Sequence, residues 1–350
     1  MTDPIAPPDA AQATRPQPDR LRQLARTLLR GERPYMLYIA FAILLVVFSL
    51  ASPWFLSLDN FLNIGRQTAL VSIIAVGMTF VIIARQIDLS VGSTLALSGM
   101  IAALAMAHID NNWFVGAVAG IGTGALVGLI NGVLVTRAKI NSFIATLGSG
   151  TLLLGLNQWY TGGRQVVGVL PHDFILLSAR IDHTGIPATV VYVLVISLVL
   201  WVVFDYLPLG RFLYIIGDSP RAAELSGISA TTHVTLAFIA SGTLAAFAGI
   251  ILQAQLQVGQ STVGQELMLP AFTGALLGAT AIRPGRPNVW GTVLAVAVLA
   301  VAVAGLTQLG APFFVENLFN GAMLILAVGL AVATHRRRER RGAGGEGARR

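Results

Sequence analysis

Apolar residues run through this chain in long blocks, separated by short polar connectors that hold most of the internal arginines. At 1.5 Å per residue, a helix needs about 20 apolar residues to cross the hydrocarbon core of a bilayer. The blocks predict helices over 35–52, 64–84, 89–107, 113–135, 142–159, 186–204, 234–256, 267–282, 289–309 and 316–334. The expected fold is all-α, a polytopic membrane helical bundle of about ten transmembrane helices. An even count puts both termini on one side. If that side is the cytoplasm, only Arg66, Arg164 and Arg180 of the 23 basic residues fall outside. The reverse orientation would break the positive-inside rule. The expected organisation is a cytoplasmic tail over 1–33, a transmembrane domain over 34–334 and a basic cytoplasmic tail over 335–350.

Composition sharpens this picture. Hydrophobic residues make up 55% of the 350 and charged residues only 11%, against about 25% in soluble proteins. Lipid is therefore the expected solvent for much of the chain. The net charge of +7 does not point to nucleic acid, because the cations sit in tails and connectors. There is no cysteine, which excludes disulfides, thiolate metal sites and cysteine nucleophiles. The N-terminus lacks the pattern of a cleavable signal, and residues 1–19 read as a disordered tail. Over 20–30, Leu21, Leu24, Ala25, Leu28 and Leu29 share one helical face, with Arg20, Arg22, Arg26 and Arg30 largely elsewhere. That stretch is either a helix on an anionic membrane surface or a basic tail that sets topology.

Small residues at four-residue spacing, Gly116, Gly120, Gly124 and Gly128, predict close helix–helix packing in lipid. Between the second and third helices, the run VIIARQIDLSVGS places Arg85, Gln86 and Asp88 in an otherwise apolar region. Asp88 is expected to cap the third helix through amides near Ser90 and Val91, with Arg85 as its ion partner. A second, compatible reading makes this a broken helix in which Gln86, Asp88 and Ser90 line a solute path.

Two connectors exceed the usual length of roughly 2–8 residues. The external one, 160–185, carries both charge signs, and Arg164, Asp173, Arg180 and Asp182 form a candidate docking surface for a soluble partner. Its His172-Asp173 and Asp182-His183 pairs suggest metal ligands, but neither pair lies on a predicted helix that would fix its geometry. No metal site, cofactor or catalytic group is expected. The internal connector, 205–233, contains a short predicted helix: Ser219 as N-cap, Pro220 at the first helical position and Gly227 as the stop. Ala222 and Ala223 would leave a flat face that another protein could approach. An ordinary structured loop is the alternative.

The segment IGDSPRAAELSGI resembles the cytoplasmic coupling loop of ATP-binding-cassette (ABC) importer permeases, with Ala222, Ala223 and Gly227 in its loose pattern. Upstream, AVGMTFVIIARQIDLSVGSTLALSGM resembles the signature stretch of the ribose, xylose and arabinose class of these permeases. ELMLPAFTGALLGATAIRPGRPNVWGTVLA resembles the C-terminal half of that class. The resemblance covers roughly residues 35–333, and its two longest motifs are specific sequence matches rather than shared composition. It departs at Arg85-Gln86, where the family often has glycines, at Arg221, where an acidic residue is common, and at ATAIRPGRPN.

The resemblance implies that Gly217, Pro220, Arg221, Ala222, Ala223, Glu224, Ser226 and Gly227 form an ATPase-coupling loop. It implies partners as well: a cytoplasmic ABC ATPase subunit, a periplasmic or extracellular solute-binding protein, and a second permease copy, identical or paralogous. Membrane lipid surrounds them, and the location is a bacterial inner membrane. The permease itself would hold its monosaccharide or similar solute weakly, if at all. Independently, the single lysine, Lys139, lies in VTRAKINSF without the preceding glycines of a phosphate-binding loop. Energy must come from elsewhere. A gradient-driven secondary carrier is the rival, with Asp88 the one ionisable group near the bundle interior and Glu266 and Glu316 at external helix ends. A membrane enzyme or a passive channel has less in the sequence to support it.

Overall fold

The computed structural model describes residues 35–329, apart from 168–169, 182–183 and 284. The predicted surface helix over 20–30 and both tails lie outside the described residues. The helices are α1 (Met36–Ala51), α2 (Leu58–Ile83), α3 (Val91–His108), α4 (Trp113–Thr136), α5 (Ser142–Thr161), α6 (His172–Leu176) and α7 (Ala188–Asp205). They continue as α8 (Pro208–Asp218), α9 (Pro220–Leu225), α10 (Ala230–Leu256), α11 (Gln265–Gly278), α12 (Val289–Gln308) and α13 (Phe314–Gly329). A helix stands at each of the ten predicted sites. Six of them, α2, α3, α4, α7, α10 and α12, are long and apolar enough to cross a membrane.

The start of α2 falls six residues before the predicted 64, because Ser57 accepts a hydrogen bond from the Asn60 amide and so caps a polar first turn. The helix α11 is shorter than its apolar run. It carries Pro270 inside and ends at Gly278, before an irregular turn over 279–287.

The most buried helix is α2, 78% enclosed along its apolar window. Ile73, Ile74 and Met78 on it pack with Leu95, Ala245, Ala248, Ala271 and Val296, so α3, α10, α11 and α12 share one core. The glycine row of α4 faces α10 and α3. A Cβ at Gly124 would run into the Gly242 carbonyl oxygen, and one at Gly128 into that of Phe238. Lipid tails supply no hydrophobic drive between such helices, so close van der Waals packing of small residues holds them. Polar ties cross the same contacts: Thr79 and Thr292 hydroxyls lie 3.1 Å apart, and Gln265 donates to Ser93 Oγ at 2.7 Å.

A two-residue antiparallel ladder pairs β1 (Val166–Val167) with β2 (Val258–Gly259) and fastens the long connector after α5 to the end of α10. In that connector His172 and Asp173 do lie on a helix, α6, contrary to expectation. It is a five-residue turn anchored by Phe174, which is fully buried against α3 and α10.

Candidate functional site

The backbone between α2 and α3 leaves helical geometry at Arg85 (φ 56°). A break buried among packed helices is tolerated only where protein satisfies its amides. Here the Ile87 amide donates to Ser142 Oγ at 3.1 Å and the Leu89 amide to Thr146 Oγ1 at 3.0 Å. Asp88 Oδ1 accepts from the Ser90 amide at 3.0 Å and from Ser90 Oγ at 2.6 Å, while Oδ2 accepts from Ser241 Oγ at 2.8 Å. Ser90 Oγ in turn accepts from Asn131 Nδ2 at 2.8 Å. One carboxylate thus joins the start of α3 to α4 and α10.

One expectation fails here. The predicted Arg85–Asp88 ion pair does not form: Arg85 is exposed, and three donors already occupy the carboxylate. Asp88 and Ser90 are each only 1% exposed, enclosed by packed helices. Gln86 is half-buried, its amide bonded to the Val81 carbonyl.

At the same end of α2 lies the internal connector, which folds as two helices and not one. The first, α8, is amphipathic. It sinks Leu213 and Ile216 among Phe80, Ile83, Phe204 and Phe238. Phe80 and Phe204 meet edge to face, with ring centres 4.4 Å apart. Gly217 sits so close to the Ile83 carbonyl oxygen that any side chain would clash. The second, α9, has the predicted caps: Ser219 accepts from the Ala222 amide at 3.3 Å, Pro220 opens the helix, and Gly227 takes a left-handed φ of 76° after it. The expected flat alanine face is wrong in one half. Ala223 is fully buried with Leu213 and Val234, whereas Ala222 is exposed. Exposed together are Arg221, Ala222, Glu224, Ser226 and, at 84%, Leu225. Sequence reasoning missed Leu225, although a leucine between Glu224 and Ser226 on a short polar helix is a readable signal.

The α11–α12 turn clasps the end of α7 and the helix α8. Arg283 donates to both carboxylate oxygens of Asp205, at 2.8 and 3.1 Å, and Trp201 Nε1 donates to the same group at 2.9 Å. Arg286 reaches Asp218 at 3.4 Å and lies over the Tyr214 ring, 5.6 Å from its centre. Tyr214 donates to the Pro287 carbonyl at 2.6 Å. Burial pushes the Tyr214 phenol up to about 12, the Asp205 charge adding to the rise and Arg283 and Arg286 opposing it. The hydroxyl therefore keeps its donated proton at neutral pH.

At the opposite end of α2, Arg164, Asp173 and Arg180 are exposed on the other long connector. Arg180 stands 3.7 Å from Asp59. Asp182 lies outside the described residues. Glu266 and Glu316, noted from sequence only as helix-end charges, line one cavity of about 570 Å³ at this end.

A bundle of apolar helices, with polar irregular backbone held inside it and a clasped amphipathic element at one end, defines an integral membrane protein of the transporter type. The family described as the permease component of branched-chain amino acid transport systems matches residues 60–328. The chain belongs to that family. It is 36% identical over 293 residues to the ribose import permease protein of Haemophilus influenzae, covering 83% of this chain and 90% of the relative. The D-allose transport system permease protein of Escherichia coli is 30% identical over 297 residues, covering 85% and 90%. The xylose transport system permease protein of Haemophilus influenzae is 31% identical over 355 residues, covering 84% and 94%. No solved structure gives a significant match. Together with the six apolar helices, the family fits a multi-pass protein of the bacterial inner membrane.

Proposed function

We propose that the chain is the membrane-spanning permease subunit of an ABC importer and carries a monosaccharide or similar small polar solute. In this reading all ten apolar helices cross the membrane, both termini are cytoplasmic, and α8–α9 faces the cytoplasm. The observation that carries it is the clasped α8–α9 element. Its apolar face is sunk in the bundle and its caps are satisfied, while Arg221, Ala222, Glu224, Leu225 and Ser226 face outward. A rigid surface element of this kind suits transmission of motion from a soluble ATPase.

Gly217 and Ala223 serve the element by close packing rather than contact, and Pro220 and Gly227 by bounding the helix. ATP is hydrolysed in the partner, since the one lysine stands outside any phosphate-binding loop. On the other side of the membrane, Arg164, Asp173, Arg180 and Asp182 contribute to docking of a solute-binding protein. A second permease copy completes the path.

The rival, a gradient-driven carrier, would turn on Asp88. Three donated hydrogen bonds make that carboxylate a structural tie. Uptake of sugar should therefore stop with vanadate, persist with protonophore, and survive Asp88→Asn at more than about a tenth of the native rate in folded protein. Protonophore-sensitive, vanadate-resistant uptake abolished by Asp88→Asn would establish the carrier instead.

A further inference from the structure

The cavity of about 570 Å³ lies among α2, α10, α11, α12 and α13, within the roughly 300–1,000 Å³ range of small-molecule sites. Its polar lining includes Asn63, Gln67, Gln255, Glu266, Glu316 and Asn320. Asn320 is only 7% exposed, and among the described residues its side chain has no hydrogen-bond partner. The Gln255 Nε2 atom is also buried without one. Buried carboxamides are ordinarily paired, so unpaired groups around a cavity point to a ligand that completes them. The other wall is apolar, formed by Val296, Leu299, Ala300, Val303 and Ala304 of α12.

We propose that this cavity is a solute-binding site within a single permease subunit for a neutral, polyhydroxylated molecule of monosaccharide size. Carboxamides both donate and accept, whereas ionised carboxylates only accept. A ring bearing several hydroxyls matches that mixture and lays its C–H face on the apolar wall. An apolar ligand leaves Asn320 and Gln255 unpaired. An anionic one meets Glu266 and Glu316 with no lysine, arginine or histidine among the described lining residues. The site therefore selects the neutral sugar over the corresponding acid or phosphate.

The inference rests on the permease reading, and one experiment separates the two. The chain has no cysteine, so Thr307→Cys, on the cavity wall, gives a single reporter for maleimide labelling in membrane vesicles of the assembled transporter. Leu56→Cys, 61% exposed outside the cavity, is the control. D-ribose, D-xylose, D-allose and ribose 5-phosphate are the probes. At least one neutral sugar should slow labelling at 307 several-fold and leave position 56 unchanged. Adding Asn320→Leu should remove the protection. Replacing Glu266 and Glu316 together by Gln should let the phosphate protect. If the neutral sugars protect nowhere, protect both positions alike, or do no better than the phosphate, the site is overturned. ATP-driven uptake in the same vesicles shows whether the permease reading survives that result, and protection without such uptake leaves the site standing alone.

Discussion

At Gly124 and Gly128 the absence of a side chain is what lets α4 touch α10, because the space a Cβ needs is filled by backbone carbonyl oxygens. Backbone cannot rotate away as a flexible side chain can, and forcing extra atoms into a packed core costs about 1–3 kcal/mol or more. Gly128→Val should lower the melting temperature of detergent-solubilised protein by several degrees or prevent folding. Gly148→Ala, with nothing within 4 Å of its added carbon, should be neutral or slightly stabilising. Thermal size-exclusion analysis reads both. This row was legible in the sequence because four-residue spacing is a property of helices alone. Of the partners of Asp88, the Ser90 amide was legible from local sequence and the distant one was not. Arg85 is the nearest cation to Asp88 in sequence, but Ser241, 153 residues away, supplies the bond, and that pairing exists only once α10 packs beside α3.

Among the elements, the α8–α9 pair shows why local signals read well and tertiary burial does not. Ser219, Pro220 and Gly227 fix the ends of α9 by chemistry within four residues, so its bounds were predictable. The burial of Ala223 depends on Leu213 and Val234, which local sequence does not reveal. The same holds for the clasp. Asp205 and Arg283 lie 78 residues apart, and only the folded α11–α12 turn brings them together. The pair is partly exposed and bidentate, worth on the order of 1 kcal/mol. Arg283→Ala should leave the protein folded yet lower the ratio of solute moved to ATP hydrolysed. Asp205→Ala should lower it further, because Trp201 also loses its acceptor. An unchanged ratio in both variants would reduce the clasp to a surface ornament of the turn. The Tyr214 tie should not vary with pH in the physiological range. A phenol raised to about 12 keeps its proton through neutrality, and its contribution falls only as the pH climbs past the unfolded value near 10 toward 12.

Across the whole molecule, α2 connects the two ends at which we propose function. Its 26 residues span about 39 Å at 1.5 Å per residue, with Asn63 and Gln67 at the cavity near one end and Ile83 beneath α8 at the other. A tilt of this one buried helix would move both ends together, which suits a protein that couples an internal ATPase to an external solute. The six helices long and apolar enough to cross a membrane could be read directly, since a bilayer demands length and low charge of each. The cavity could not, because its lining comes from five helices, although Asn63 and Gln67 stand four apart on an apolar helix. The central claim is that α8–α9 receives a soluble ATPase. Leu225→Cys in the cysteine-free chain, 84% exposed at the tip of α9, tests it most directly by crosslinking in native membranes. The account predicts capture of an ATPase subunit, with capture lost at the buried Ala223→Cys. An abundant, folded Leu225→Cys protein that captures no ATPase would contradict it.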